Sequence, residues 1–257
     1  MRYEVTAMRR VLPTPLDDVD PSALYERLGP RGDGRPAVRA NMIASVDGAT
    51  SVAGRSGGLG GPADKLVFAA LRGIADVVLV GSTTMTAEGY GPARLAPSVV
   101  ARRSALGQAS VPPIAVVTAS CRLDWAAPFF TEAGERPIVV TVAGADPDVL
   151  RRAGEVADVV IAGDHQVDLA MALKALADRG HANVLAEGGP SILAQLAGAG
   201  LLDELCLTIS PALAGGDARR ILHGAGIEPP ARLELVDLCE DGGFLFLRYR
   251  RSPETAG

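Results

Sequence analysis

Three cysteines, three histidines and a single tryptophan in 257 residues leave this sequence poor in the side chains that anchor disulfide and metal folds. Cys121, Cys206 and Cys239 are scattered, odd in number and form no C-x-x-C pair. That excludes a disulfide framework and fits reduced thiols. His165, His181 and His223 show neither H-x-x-x-H nor H-x-E spacing, so no metal site is expected. No apolar run approaches the ~20 residues of a membrane helix. The opening Met1-Arg2-Tyr3-Glu4 has no apolar signal core, so a cytoplasmic protein without membrane contact is expected. A basic surplus is also missing: the formal net charge is −5, which argues against nucleic acid as a partner. The G-x-G-x-x-G fingerprint and the P-loop ending are absent. These absences remove the usual dinucleotide fingerprint and the P-loop NTPases. No Ser/His/Asp or Cys/His arrangement can be argued either.

What is present is a large apolar fraction, 48% of residues, with 21% charged. That is enough for a sizeable core. Residues 1–36 are rich in Pro, Asp and Arg and read as an N-terminal arm, with short elements at Met8 to Leu12 and Ala23 to Leu28. A single domain is expected over 37–251, with a tail at 252–257. Ala37 to Ser45 reads as the first core strand, followed by a glycine-rich loop from Asp47 to Gly61. Ala63 to Arg72 has a helical apolar face, with Gly73 as its stop. Val77 to Val80, Ile114 to Thr118, Pro137 to Val142 and Val159 to Ile161 are short continuous apolar runs, typical of strands covered on both faces. Gly89 to Gln108 reads as loop, and Val167 to Arg179 as helix. Leu205 to Ser210 is a strand, and Arg232 to Leu238 with Phe244 to Arg250 read as a closing hairpin around Glu240-Asp241-Gly242-Gly243. Strands alternating with helices predict an α/β domain: a mainly parallel central sheet, helices on both faces, and an antiparallel C-terminal edge.

Three segments carry polar groups to strand ends, where open α/β sheets bind ligands. Asn183 to Ser191 is the most informative. A short buried strand runs into Glu187, Gly188 and Gly189, then into a helix led by Pro190 and continued by Ser191, Ile192 and Leu193. Glycines permit close backbone approach, and a helix start offers unpaired N–H donors, so the turn suits phosphate or pyrophosphate. A plain strand–helix turn has the same local pattern. Asp47-Gly48 ends the first strand with a carboxylate, or with an ordinary Asp-Gly turn. Gly81-Ser82-Thr83-Thr84 offers hydroxyls and backbone N–H groups after a second strand, or ordinary helix capping.

Together, N-M-I-A-S-V-D-G, D-V-V-L-V-G-S-T-T-M with Glu88 beyond it, and L-A-E-G-G-P-S-I-L followed by L-L-D-E-L and S-P-A-L-A-G-G resemble the reductase domain of bacterial riboflavin biosynthesis. That domain is the pyrimidine reductase part of the bifunctional deaminase-reductase and has the dihydrofolate-reductase fold. The resemblance spans roughly residues 37–250. It implies NADPH bound without a Rossmann fingerprint. By resemblance, Gly189 to Leu193 wraps the pyrophosphate, Gly188 belongs to the same cofactor site, Thr84 with Gly81 and Thr83 contacts the cofactor, and Ser120 lies near the adenosine. Gly58 falls where the family often has a tryptophan beside the nicotinamide. Ser56 and Arg72 match positions that hold the phosphorylated substrate, and Glu187 lies towards the pyrimidine. Glu88 stands where an aspartate is usual, followed by Gly89-Tyr90-Gly91-Pro92 in place of Asp-Asp-Pro, and Arg94 is the nearby candidate for the arginine that often follows. The deaminase half has no counterpart, because neither His-Ala-Glu nor Pro-Cys-x-x-Cys occurs.

The reaction this implies is hydride transfer from NADPH to a pyrimidine ribosylamino 5′-phosphate, as in a 5-amino-6-(5-phosphoribosylamino)uracil reductase. Glu88, ranked ahead of Asp47, is the expected proton-handling group. Arg122, beside Ser120, is the expected cation for the adenosine 2′-phosphate. Reduction of dihydrofolate or another pterin, and NADPH binding without turnover, stand as alternatives. A homodimer is expected from the resemblance.

Overall fold

The computed structural model describes residues 7–29 and 31–252; the readings made on Met1 to Glu4 and on most of the 252–257 tail fall outside them. In chain order the elements are β1 (Arg9–Leu12), α1 (Pro21–Leu24), β2 (Ala37–Ser45), a 3-10 turn (Ser56–Gly58), α2 (Pro62–Ile74), β3 (Val77–Gly81), α3 (Ser82–Glu88) and α4 (Pro97–Ala105). There follow β4 (Ile114–Val117), α5 (Pro128–Thr131), β5 (Ile138–Thr141), α6 (Pro147–Val156), β6 (Asp158–Ile161), α7 (Leu169–Ala177) and β7 (Asn183–Ala186). The last are α8 (Pro190–Gly198), β8 (Glu204–Ser210), β9 (Leu233–Asp241) and β10 (Phe244–Arg251). The contacts divide the chain into two compact units. One takes the described residues of 1–26 and 190–257 together with Val38–Leu71; the other takes Arg27–Ala37 and Arg72–Gly189.

In the second unit the strand order is β7-β3-β4-β5-β6, and every neighbouring pair is parallel. Val77 pairs with Val184, Val78 with Ile114, Ala115 with Ile138 and Ile138 with Asp158. Residues Val77–Val80, Ala115, Val116, Val139 and Val140 are fully buried, as expected of parallel strands covered on both faces. Asp168 accepts hydrogen bonds from the N–H groups of Ala170 and Met171 and so caps α7, while Asp146 caps α6 through the Asp148 N–H. Because the strands are parallel, their carboxyl ends, at Gly81, Val117 and Ala186 among others, open along one edge.

The first unit orders its strands β1-β9-β10-β8-β2. Only β8 and β2 run parallel, from Arg39 opposite Glu204 to Ser45 opposite Ser210. The β9–β10 hairpin turns through Gly242 and Gly243, both at positive φ (58° and 83°), a conformation that side chains with a Cβ resist. Phe244 and Phe246 stack face to face in the core, 6.4 Å between centroids. The expected class, mainly parallel with an antiparallel C-terminal edge, is the observed one.

Three local readings differ. Gly89 to Gln108 contains α4, whose Pro97 sits in the first turn; the segment is too polar for a helical apolar stripe to stand out in the sequence. Helix α6 also went unread; its residues are polar on average and only Ala153 on it is buried. Gly73 does not stop α2, which runs on to Ile74. There the absence of a side chain is what matters, because a Cβ would lie 2.9 Å from Val99 Cγ1 and 3.2 Å from Arg102 Nη2. The work of the missing stop is done by Arg103, a buried guanidinium whose Nη1 donates towards the carbonyls of Arg72, Gly73 and Ala75 at 3.4, 3.3 and 2.6 Å.

Asp76, just before β3, is the polar hub of the second unit. Its Oδ1 accepts from Arg27 Nη1 (2.6 Å) and Gln108 Nε2 (2.7 Å), and its Oδ2 from Arg27 Nη2, Ala182 N and Asn183 N (2.9, 3.0 and 2.9 Å). Burial pushes this carboxyl up, but the bonds from Arg27 and Gln108 prevail and hold it below the ordinary range. A carboxyl more acidic when folded stabilises fully above the unfolded value of ~3.9 and loses that contribution as pH falls through the folded value. Asp76→Asn is therefore expected to cost about 2–3 kcal/mol at pH 7 by denaturant unfolding, and the gap to wild type should narrow as pH falls through the folded-state value. In the first unit, a Cβ on Gly61 would lie 2.9 Å from two atoms of the buried Phe244 ring. Gly61→Ala is expected to lower stability by about 1–3 kcal/mol in the same measurement.

Candidate active site

The carboxyl edge of the second unit's sheet gathers most of the residues singled out from the sequence. At the end of β7, Glu187 is buried, its side chain 2% exposed. Its backbone N–H continues the ladder to Leu79 O, and the next carbonyl, Gly188 O, accepts from Gly81 N at 2.8 Å. The β7 exit is thus fixed against the β3 exit. Gly188 has φ 93°, a left-handed value that favours glycine, and the Gly188–Gly189 peptide is cis. A Cβ on Gly189 would lie 2.4 Å from Thr84 Oγ1, so only glycine lets the chain pass α3 at this distance. Thr84 is half-buried and Thr83 exposed, both in the first turn of α3.

Arg72 closes on Glu187 as a two-point fork, Nε to Oε1 and Nη2 to Oε2, both at 2.7 Å. Asp76, the acidic residue nearer in sequence, is held instead by Arg27 and Gln108. Tyr90 Oη donates to Glu187 Oε2 at 2.8 Å, and the Arg72 guanidinium lies 5.6 Å from the Tyr90 ring centroid. Burial opposes charge on Arg72, yet the Glu187 carboxylate prevails and raises its pKa further. Burial first, and the Glu187 charge second, push the Tyr90 phenol well above its ordinary value, so it stays a hydrogen-bond donor at any working pH. Tyr90 was not singled out as a site residue from the sequence. The signal available was its place in Gly89-Tyr90-Gly91-Pro92, where an acidic pattern is usual.

Glu88 ends α3, with Gly89 in the left-handed conformation as its C-cap, and its charge is among those that raise the Tyr90 phenol. Ser120 and Arg122 are exposed at the turn after β4, where Arg122 N lies 3.5 Å from Ser120 Oγ. Beside them Cys121 is buried at φ 48°, its N–H bonded to Thr118 Oγ1. Arg94 is exposed, with Glu132 Oε2 3.9 Å away.

The remaining residues belong to the first unit. Asp47 is engaged as a loop tie: its Oδ1 accepts from Ser45 Oγ (2.5 Å) and Ala214 N (3.1 Å), and its Oδ2 from Gly215 N (2.7 Å). The Ser45 hydroxyl first, then the Gly215 and Ala214 N–H groups, hold its carboxyl down at about 2. Ser56 and Gly58 lie in the 3-10 turn, where a Cβ on Gly58 would meet Val52 Cβ at 3.3 Å. Pro190, Ser191, Ile192 and Leu193 open α8, with Ile192 and Leu193 buried, Ser191 exposed and Pro190 O accepting from His223 N. All three cysteines are free and buried. Among the described residues no group of three or more His, Cys, Asp or Glu could hold a metal, and no helix is long and apolar enough to cross a membrane.

The chain is similar to known proteins over most of its length. The chain is 31% identical over 221 residues to a protein of Methanothermobacter thermautotrophicus named 2,5-diamino-6-ribosylamino-4(3H)-pyrimidinone 5′-phosphate reductase, covering 84% of this chain and 98% of that one. A protein of the same name from Archaeoglobus fulgidus is 26% identical over 219 residues, with 84% and 100% covered. Among solved structures, a pyrimidine reductase-like protein of Corynebacterium diphtheriae superposes with a TM-score of 0.80 at 28% identity, over 92% of this chain and 100% of that one. The family profile described as RibD C-terminal domain matches residues 36–246, and on this extent of agreement the chain belongs to the RibD C-terminal domain family of reductases.

Proposed function

We propose that this protein is an NADPH-dependent reductase acting on a pyrimidine ribosylamino 5′-phosphate, of the 5-amino-6-(5-phosphoribosylamino)uracil reductase type. The carboxyl edge of the second unit carries the reading: a buried carboxylate held by an arginine, beside a glycine turn that a single added methyl would close. The two archaeal relatives named as phosphate reductases of a ribosylaminopyrimidinone support it.

The residues present fit a nicotinamide dinucleotide. Gly188 and Gly189 put backbone without side chains beside Thr84 and Gly81, as a pyrophosphate site requires. Ser120 and Arg122, exposed after β4, would meet the adenosine end, with Arg122 as the cation for the 2′-phosphate. Gly58 and Pro190 to Leu193 of the first unit are assigned to the cofactor, and Ser56 and Arg94 to the substrate, by the resemblance alone. When bound, NADPH supplies the hydride.

The chain's own residues supply position and charge balance. Glu187, held in place by the Arg72 fork, offers an acceptor to an N–H of the pyrimidine. Arg72 balances that charge and adds a cation near the substrate. Glu88 handles the proton. Asp47, held at about 2 by its three donors, is ionised throughout the physiological range and serves better as an acceptor than as a proton source.

Purified protein followed at the nicotinamide absorbance should oxidise NADPH with the phosphoribosylamino-uracil and not with dihydrofolate. Turnover of dihydrofolate alone would assign the pterin reading, and tight NADPH binding without turnover of either would make the protein a binder. Glu88→Gln is expected to lower kcat by about 10²-fold or more, the usual worth of a placed proton donor. An unchanged kcat would remove Glu88 from the reaction. Arg122→Ala should raise the KM for NADPH by about 10-fold, the size of one exposed charge-assisted contact, and leave that for NADH unaltered. Equal effects on both would move the 2′-phosphate contact elsewhere.

A further inference from the structure

Tyr90 grips the Glu187–Arg72 pair, and none of the roles above uses it. An ionised carboxylate offers about four acceptor positions, two on each oxygen. Arg72 takes one on each oxygen of Glu187, and Tyr90 Oη takes the second on Oε2. Among the described residues that leaves one position, on Oε1. Both partners of the ion pair are largely shielded, with side chains 13% and 2% exposed, so water competes weakly for these bonds. The Tyr90 ring faces the Arg72 guanidinium at 5.6 Å, so a single side chain restrains both charges. As shown above, its phenol stays protonated, which makes it a donor only.

We propose that Tyr90 is a positioning residue: by bonding Glu187 Oε2 and stacking on Arg72 it fixes the carboxylate so that Oε1 alone receives the N–H of the substrate ring. The inference rests on the reading that Glu187 faces the pyrimidine. Tyr90 acts on binding of the ring rather than on the transfer step, because it touches the carboxylate and not the reacting carbon.

Tyr90→Phe keeps the stacked ring and deletes the donor. The expected result is a rise of about 10-fold in KM for the phosphoribosylamino-uracil, with kcat within about 3-fold, the loss of one charge-assisted bond spread over a retained ion pair. The NADPH dissociation constant should stay within about 2-fold, and the thermal midpoint should fall by no more than about 4 °C. A second measurement isolates the route. In a Glu187→Gln background, adding Tyr90→Phe should change KM by less than about 2-fold, since its effect runs through the carboxylate. An unchanged KM in Tyr90→Phe, or a kcat loss at constant KM, overturns the proposal. So does the same KM factor in both backgrounds. The KM split in the single variant decides the case even if Glu187→Gln fails to fold. These failures presuppose an active wild type; a wild type that turns over no pyrimidine would sink the function reading, and this one with it.

Discussion

A carboxylate buried at the end of a strand has to be matched, and the second unit is arranged around that requirement. Removing a carboxylate and a guanidinium from water costs several kcal/mol for each ion, and only well-aligned contacts offset it. Arg72 and Glu187 meet the condition with two bonds of 2.7 Å in the fork geometry that suits arginine and carboxylate. The same two residues replaced by apolar groups would serve the fold as well or better. The pair lies at the edge where parallel strands present their carboxyl ends, the place where open sheets of this kind bind ligands.

The first unit offers a useful contrast. Arg39 and Glu204 also form a buried pair, Nε to Oε1 at 2.5 Å, with side chains 6% and 0% exposed. Arg39 is served further by the Glu26 carbonyl, but Glu204 Oε2 is buried without a hydrogen-bond partner, with Arg250 Nη2 at 3.7 Å. At Glu187 each oxygen is matched and a third donor is added. The difference lies in how the charge is completed. Asp76 shows a third solution, five donors on one half-shielded carboxylate, two of them backbone N–H groups that tie the β7 entrance to the turn before β3.

Much of this was legible in the sequence, and the parts that were not share a cause. Strand β2 was read at its observed bounds, and β3, β4, β5 and β6 to within a residue at either end, because four or five consecutive apolar residues between turn signals have few other uses in an α/β chain. The glycine turn at Gly188 and Gly189 was legible because its composition is itself the constraint: the chain passes a threonine too closely for any Cβ. Helices α4 and α6 were not: each is polar on average and buries a single residue, although the few apolar residues of α6 do fall on one face. The partner of Arg72 was hidden for a different reason. Glu187 lies 115 residues away in sequence, and pairing at such distance is decided by topology, which no local pattern carries. Tyr90 went unread because its meaning depends on that same pairing.

The Arg103 guanidinium, driven into the exit of α2, has a consequence of its own. The final turn from which Arg72 projects is fastened to α4, a polar and largely exposed helix, through three carbonyls of one short stretch. A substitution within 97–105 that displaces Arg103 withdraws a donor from the end of the helix that carries Arg72. Tolerance in that outer segment will follow its hold on the α2 terminus rather than solvent accessibility.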